Sequence, residues 1–209
     1  MTNEQLAQLE DLLNVAINSQ KEAFCLASKC QRQCIVNPGF PILWFGDIDT
    51  YLKTPKDKRA ITVGVNPSGS ELYYDRTGHF THFTPLTTDH AYSSINDYVL
   101  ALNNYFNNNP LGWFKKGMDD IPFSYNNGNL IHVDCCSTIA TRPTWTGLCD
   151  SVKSLLRTQN ESIFERLLKL LQPSKVFIAS NRLELPYIEG FCMKVLNLDP
   201  SQISRIKKY

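Results

Sequence analysis

Polar residues that are suited to binding or catalysis follow two apolar stretches of this chain. Asn66-Pro67-Ser68-Gly69 follows Ile61 to Val65, and Asp134 follows Leu130 to Val133. An asparagine amide oxygen can hold a water molecule but is a poor proton acceptor, whereas an ionised aspartate can only accept hydrogen bonds. The structural alternatives are that Asn-Pro marks an ordinary turn and that Asp134 caps the next segment or pairs with Arg142.

The elements that must position these residues are predicted from hydrophobic patterns. Short apolar runs predict four strands: Ile42 to Phe45, Ala60 to Val65, Leu130 to Cys136 and Lys175 to Ala179. Helical spacing predicts an N-terminal helix capped by Thr2 or Asn3, then Ser93 to Phe106, Asp150 to Leu171, and most of Leu183 to Tyr209 with a break at Asp199-Pro200.

This alternation predicts a three-layer α/β/α fold with a mainly parallel sheet of about four strands. Residues 1–209 are predicted to form one domain, with residues 1–35 as a helical segment that packs on the core. Ligands bind such sheets outside the carboxyl ends of the strands. The loops after Val65, Val133 and Ala179 are therefore predicted to meet at the site.

Several motifs occur in the order found in one enzyme superfamily. Gly64-Val65-Asn66-Pro67-Ser68 ends a strand, Gly78 to Pro85 carries Phe80 and Phe83, and Asn129 to Asp134 forms a later strand. Leu167 to Asn181 adds a helix, a Pro-containing turn and a strand. This arrangement resembles the uracil-DNA glycosylase superfamily over roughly residues 40 to 181.

The resemblance implies a DNA glycosylase that extrudes a base and hydrolyses its N-glycosidic bond without a cofactor. It implies that Asn66 positions the attacking water, that Phe83 stacks on the base, and that Asp134 reads the base edge. Ser68 and the backbone amides around Gly69 are expected to contact DNA phosphates, and Arg182 is a further phosphate candidate. Tyr74, like Tyr73, is expected to line the pocket or wedge the duplex. The alternative is that Phe80, Phe83 or both are core residues and that Tyr73 and Tyr74 are exposed tyrosines without a role.

Two departures from the family pattern bear on activity. Superfamily members that recognise uracil carry Asn at the position of Asp134. Because an ionised Asp can only accept hydrogen bonds, a cytosine-type base, which has an amino donor, is the predicted target. A modified cytosine of phage DNA fits, since some superfamily members act in anti-phage defence. The family's last motif, His-Pro-Ser, is not found, because no histidine follows His132. Either the motif has diverged, or the sequence stops before it, or the site relies on other groups. That absence leaves open a catalytically inactive DNA- or nucleoside-binding protein, or a different Rossmann-like enzyme acting on small nucleotides.

Composition narrows the remaining possibilities. The chain has 21 Lys and Arg against 20 Asp and Glu, so any contact with DNA must be local. The polar first residues and the lack of a long apolar run predict a cytoplasmic protein without a membrane span. The odd count of seven cysteines favours free thiols. Neither the spacing of Cys25, Cys30 and Cys34 nor the set His79, His82 and His90 matches a known metal site well, and no metal is predicted.

Overall fold

A parallel four-stranded sheet lies at the centre of the protein. In the computed structural model, which describes residues 1–31, 33–89, 94–109 and 121–206, the strands are β1 (Ala60–Gly64), β2 (Leu130–Asp134), β3 (Lys175–Ile178) and β4 (Ile203–Arg205). Their order is β2-β1-β3-β4, and every neighbouring pair is parallel. The predicted three-layer α/β/α fold with a parallel sheet is confirmed.

Helices cover the sheet. They are α1 (Asn3–Cys30), α2 (Ile48–Lys53), α3 (Ile95–Asn103), α4 (Tyr105–Asn108), α5 (Asp150–Leu171) and α6 (Leu185–Leu196). Thr2 caps α1 as predicted, because its hydroxyl accepts a hydrogen bond from the Gln5 amide while the Gln5 side chain accepts one from the Thr2 amide. α1 packs along α5 and buries Leu9, Leu12 and Leu13 in the main core.

The two faces of the sheet have different neighbours, as the period-two alternation of strands requires. Ile61, Val63 and Val133 point into the main core, which also contains residues of α1, α5 and α6. Ala60 and Leu130 lie on the opposite face, in a smaller apolar cluster with Phe177 and Phe123. By the same alternation Thr62, Gly64, His132 and Asp134 lie on that second face, towards the carboxyl ends of β1 and β2.

The prediction of a strand at Ile42 to Phe45 was wrong. This segment is extended and buried, but only Phe45 pairs with the sheet, through an antiparallel bridge to His132 on the edge strand β2. The Leu43 amide instead donates to the Tyr98 hydroxyl, which itself donates to the Pro41 carbonyl. Because a side chain occupies these backbone groups, the segment cannot extend the sheet.

The prediction for the C-terminal segment was partly wrong. α6 lies within the predicted helix, but after a short 3-10 turn capped by Asp199 the chain forms β4 beside β3. Residues 207–209 lie outside the described residues. The fourth strand of the sheet is therefore Ile203–Arg205, which is too short to show a periodic pattern.

The remaining boundaries shift slightly. β1 ends at Gly64 and β2 at Asp134, one and two residues before the predicted ends. The predicted helix from Ser93 to Phe106 is divided at Asn104 into α3 and α4, and Ser94 caps α3. Ser93 itself lies outside the described residues.

Candidate functional site

A cavity of about 410 Å³ opens at the carboxyl ends of β1 and β2, where the fold predicts a ligand site. This volume is in the range of small-molecule sites. Polar residues form one part of its wall: Asn66, Ser68, Ser70, Glu71, His132 and Asp134. Aromatic residues form another part: Phe45, Tyr105, Phe106 and Trp145. The loop that begins at Asn66 and the strand that ends at Asp134 therefore converge on one cavity.

The Asn66 side chain is held in one orientation. Its amide nitrogen donates to the Pro67 carbonyl at 3.0 Å and to Thr141 Oγ1 at 2.8 Å. The Pro67 carbonyl can only accept, so it identifies the nitrogen and fixes the position of the amide oxygen. That oxygen has no hydrogen-bond partner within the described residues, so it is free to accept one from a water molecule in the cavity.

Asp134 lies deep in the cavity wall, and its side chain is 4% exposed. Its Oδ1 atom is 3.5 Å from His132 Nε2, while Oδ2 has no hydrogen-bond partner among the residues that the structure describes. The pairing with Arg142, considered as a structural alternative, does not occur, because Arg142 lies over the Tyr73 ring and donates to the Gly69 carbonyl. Asp134 therefore retains a carboxylate oxygen that can accept a hydrogen bond from an amino group.

A chain of hydrogen bonds orients His132. Its Nδ1 atom is 2.8 Å from Thr62 Oγ1, which is 2.7 Å from the Tyr125 hydroxyl. Burial raises the pKa of Tyr125, which therefore stays protonated. The Asp134 carboxylate beside Nε2 favours a proton on that nitrogen, which leaves Nδ1 to accept from Thr62. His132 thus brings an N–H donor to the cavity wall.

A second carboxylate, that of Glu71, belongs to the same wall. It accepts a hydrogen bond from the Tyr105 hydroxyl at 2.5 Å and lies 3.5 Å from His82 Nδ1. Burial, and then the Glu71 charge, raise the pKa of Tyr105, which keeps it a donor. Of the described residues that line the cavity, those with formal negative charge are Glu71 and Asp134. The cavity therefore favours ligands that carry donors or positive charge.

Phe83 does not reach this cavity. It is fully buried, with its ring centroid 5.2 Å from Tyr105 and 5.2 Å from Phe40. The assignment of Phe83 as the ring that stacks on the ligand is corrected, because it lies behind Tyr105 in the core. The described rings that border the space are Phe45, Tyr105, Phe106 and Trp145.

The expected phosphate contacts are only partly placed at the cavity. Ser68 lines it, and its hydroxyl accepts hydrogen bonds from Ser70. Gly69 is buried and its amide donates to the Thr141 carbonyl at 3.0 Å, so this amide is not free to bind a phosphate. Arg182 is exposed beside Asn181, which lines the cavity. Tyr74 is half exposed, but it borders a neighbouring groove rather than the cavity.

The sequence analysis gave no role to His132 and Glu71, two ionisable residues of the cavity wall. The signal for His132 was its spacing, because residues two apart on a strand share a face and His132 is two before Asp134. Glu71 carried no such signal. It reaches the cavity because the loop after β1 turns back in a 3-10 helix, Gly69–Leu72.

The cysteines and histidines considered as metal ligands do not form a metal site among the described residues. Cys25 and Cys30 are exposed and Cys34 is buried, while His90 lies outside the described residues. Cys135 and Cys136 follow β2 rather than lie within it, and they pack in two different apolar clusters. In the part of the chain that the structure describes, no helix is both long and apolar enough to cross a membrane.

Comparisons with protein-family models, with curated proteins and with solved structures find no significant match to this chain. Its function is therefore inferred from the residues of the cavity.

Proposed function

We propose that this protein is a DNA glycosylase of the uracil-DNA glycosylase superfamily, and that it hydrolyses the N-glycosidic bond of a cytosine-type base extruded from DNA. The observation that carries the proposal is the convergence of Asn66 and Asp134 on one cavity, each with an unpaired side-chain oxygen in the described structure. A modified cytosine of phage DNA is the proposed target, with anti-phage defence as the role.

The reaction adds water across the bond between the sugar C1′ atom and the base nitrogen. The water oxygen forms the new bond to C1′, the glycosidic bond breaks, and the departing base takes a proton. Asn66 Oδ1 holds the water, because the hydrogen bonds to Pro67 and Thr141 fix its direction. Asn66 acts by positioning, since an amide oxygen is a poor base.

The charges of the cavity suit the transition state. Breaking the bond leaves positive charge on the sugar, and the carboxylates of Glu71 and Asp134 stabilise it in a partly dry site. Negative charge develops on the base, and the His132 Nε2–H group beside Asp134 is a donor of the cavity wall that can meet it. This histidine offers a donor in a chain that lacks the His-Pro-Ser motif.

Base recognition is assigned to Asp134 and the aromatic wall. Asp134 Oδ2 accepts from the cytosine amino group, whereas uracil presents a carbonyl oxygen there and is repelled. Tyr105 and Phe45, whose centroids are 4.7 Å apart, provide apolar surface for a planar base. Loss of a buried polar pairing discriminates strongly between bases.

The test is an assay for abasic sites. Purified protein is incubated with phage DNAs that carry different cytosine modifications, and alkali-labile sites are counted. We expect such sites with the wild-type protein, none with Asn66→Ala, and a large loss with Asp134→Asn. The control is Asn14→Ala, at an exposed position of α1. A protein that shifts DNA but leaves no abasic sites would be a binding protein, and one that cleaves only free nucleotides would refute a DNA substrate.

A further inference from the structure

A groove of about 800 Å³ lies on the other side of one wall of the cavity. One part of this wall is the segment after β1. Ser68, Ser70 and Glu71 line the cavity, whereas Gly69 and Tyr73 line the groove. The two spaces therefore share this segment.

The other part of the wall is the loop at residues 141–146. Arg142 lines the groove, whereas Thr144 and Trp145 line the cavity. The Gly69 amide donates to the Thr141 carbonyl, and the Thr141 amide donates to the Pro67 carbonyl, so the two segments are joined. A polymeric ligand that crosses this wall can place one unit in the cavity and the next unit in the groove.

The groove carries surface suited to an unpaired nucleotide. Tyr73 is 54% exposed and Tyr74 is 50% exposed, so both rings of the groove present apolar surface to solvent. The Arg142 guanidinium lies 5.4 Å from the Tyr73 ring centroid and donates to the Gly69 carbonyl at 3.5 Å. A ring beside an arginine is a common arrangement for stacking a base while contacting its phosphate.

The charges on the two sides of the wall differ in sign. Among the described lining residues, the groove has the cation Arg142 and no carboxylate, whereas the cavity has Glu71 and Asp134. A phosphate is repelled from the cavity and attracted to the groove. A nucleotide chain therefore fits with its backbone on the groove side and one base in the cavity.

We propose that the groove binds the nucleotide next to the extruded one, in an unpaired stretch of the same DNA strand. The neighbouring base stacks on Tyr73, and the phosphate between the two nucleotides meets Arg142. This inference rests on the proposed function, because the extruded base in the cavity defines which nucleotide is the neighbour. It makes single-stranded or locally unpaired DNA the preferred substrate.

The test separates groove binding from base excision. The probe is a short single-stranded oligonucleotide with a tetrahydrofuran abasic analogue at its centre, so that no base is offered to the cavity, and 2-aminopurine on one side of it. The affinity is measured by anisotropy and stacking by 2-aminopurine fluorescence. Tyr73→Ala is compared with Tyr73→Phe, which keeps the ring, and Arg142→Ala with Arg142→Lys, which keeps the charge.

Two versions of the probe carry 2-aminopurine either 5′ or 3′ of the abasic analogue, and we expect the signal to fall on binding for one of them. Tyr73→Ala should weaken binding by about 5- to 100-fold and abolish this change, whereas Tyr73→Phe should retain both. Arg142→Ala should weaken binding and flatten its salt dependence.

Unchanged affinity in Tyr73→Ala, or equal affinity for the same oligonucleotide annealed to its complement, would each overturn the inference. Failure of the proposed function has a different signature, because it would remove the abasic sites formed on phage DNA and leave the Tyr73-dependent binding of this probe intact.

Discussion

Asp134 occupies the space in which a side chain on Gly64 would lie. The two residues are register partners on β2 and β1, and a β-carbon built on Gly64 would be 2.3 Å from Asp134 Oδ1. The same β-carbon would lie 3.0 Å from His132 Cε1. The glycine that ends β1 therefore makes room for the buried acid and histidine of the cavity wall.

Gly64→Ala should displace Asp134 and His132 while leaving the sheet intact. We expect base excision to fall by at least about tenfold, because misplacement of a positioned group by about 1 Å has costs of this order. The measurement is the abasic-site assay, together with the thermal midpoint. The matched control is Gly190→Ala in α6, where an added β-carbon meets nothing within 4 Å. Full activity in Gly64→Ala would show that the position of Asp134 does not matter for the reaction.

Thr141→Val should impair catalysis through Asn66. Thr141 is buried, and its hydroxyl accepts from the Asn66 amide nitrogen at 2.8 Å, so valine removes this acceptor and keeps the shape. We expect the rate of base release to fall by about 10- to 100-fold. Thr141→Ser keeps the hydroxyl and should retain most of the rate. Equal rates for the valine and serine variants would mean that the hydroxyl does not orient Asn66.

The sequence predicted the placement of Asn66 and Asp134 because parallel strands bring their carboxyl ends to one edge. Gly64-Val65-Asn66-Pro67 and the apolar stretch before Asp134 were enough to identify two strand ends, and the structure places both at one cavity. This inference needs only the strand direction and the alternation of helices and strands.

The aromatic residues could not be assigned in the same way. Phe83, Tyr105 and Phe45 are all apolar rings in or near loops, and residue type does not tell which ring borders a cavity and which lies behind it. Tertiary packing decides this, and it places Tyr105 at the cavity and Phe83 in the core. The bridge from Phe45 to His132 and the short strand β4 likewise depend on contacts between distant parts of the chain.

Phe83→Leu should affect stability more than ligand binding. The Phe83 ring is fully buried between Phe40 and Tyr105, so a smaller side chain leaves space in the core. We expect a loss of about 1 to 3 kcal/mol in the free energy of unfolding, measured by urea denaturation. Base excision well below the unfolding temperature should stay within about twofold of wild type. A large loss of excision with unchanged stability would restore Phe83 as a ligand-stacking residue.

Cys149 should be alkylated at a lower pH than an ordinary thiol. It is exposed and directly precedes α5, with its Sγ atom 3.2 Å from Ser151 Oγ. The hydrogen bond from Ser151, followed by backbone amides of the first turn, lowers the pKa of the Cys149 thiol. Because the thiolate is the nucleophile and a lowered pKa means that it forms at lower pH, the rate of reaction with iodoacetamide should reach half of its plateau below the usual range for a thiol.

Peptide mapping by mass spectrometry isolates the Cys149 rate from those of the other cysteines across a pH series. Ser151→Ala removes the hydroxyl donor but leaves the backbone amides. The midpoint of the Cys149 profile should therefore move to higher pH but stay below the midpoint of a thiol that accepts no hydrogen bond. The exposed thiols of Cys25 and Cys30 report on the reagent in both proteins and should give the same profiles in each. If the Cys149 midpoint is the same with and without the Ser151 hydroxyl, this hydrogen bond does not stabilise the thiolate in solution.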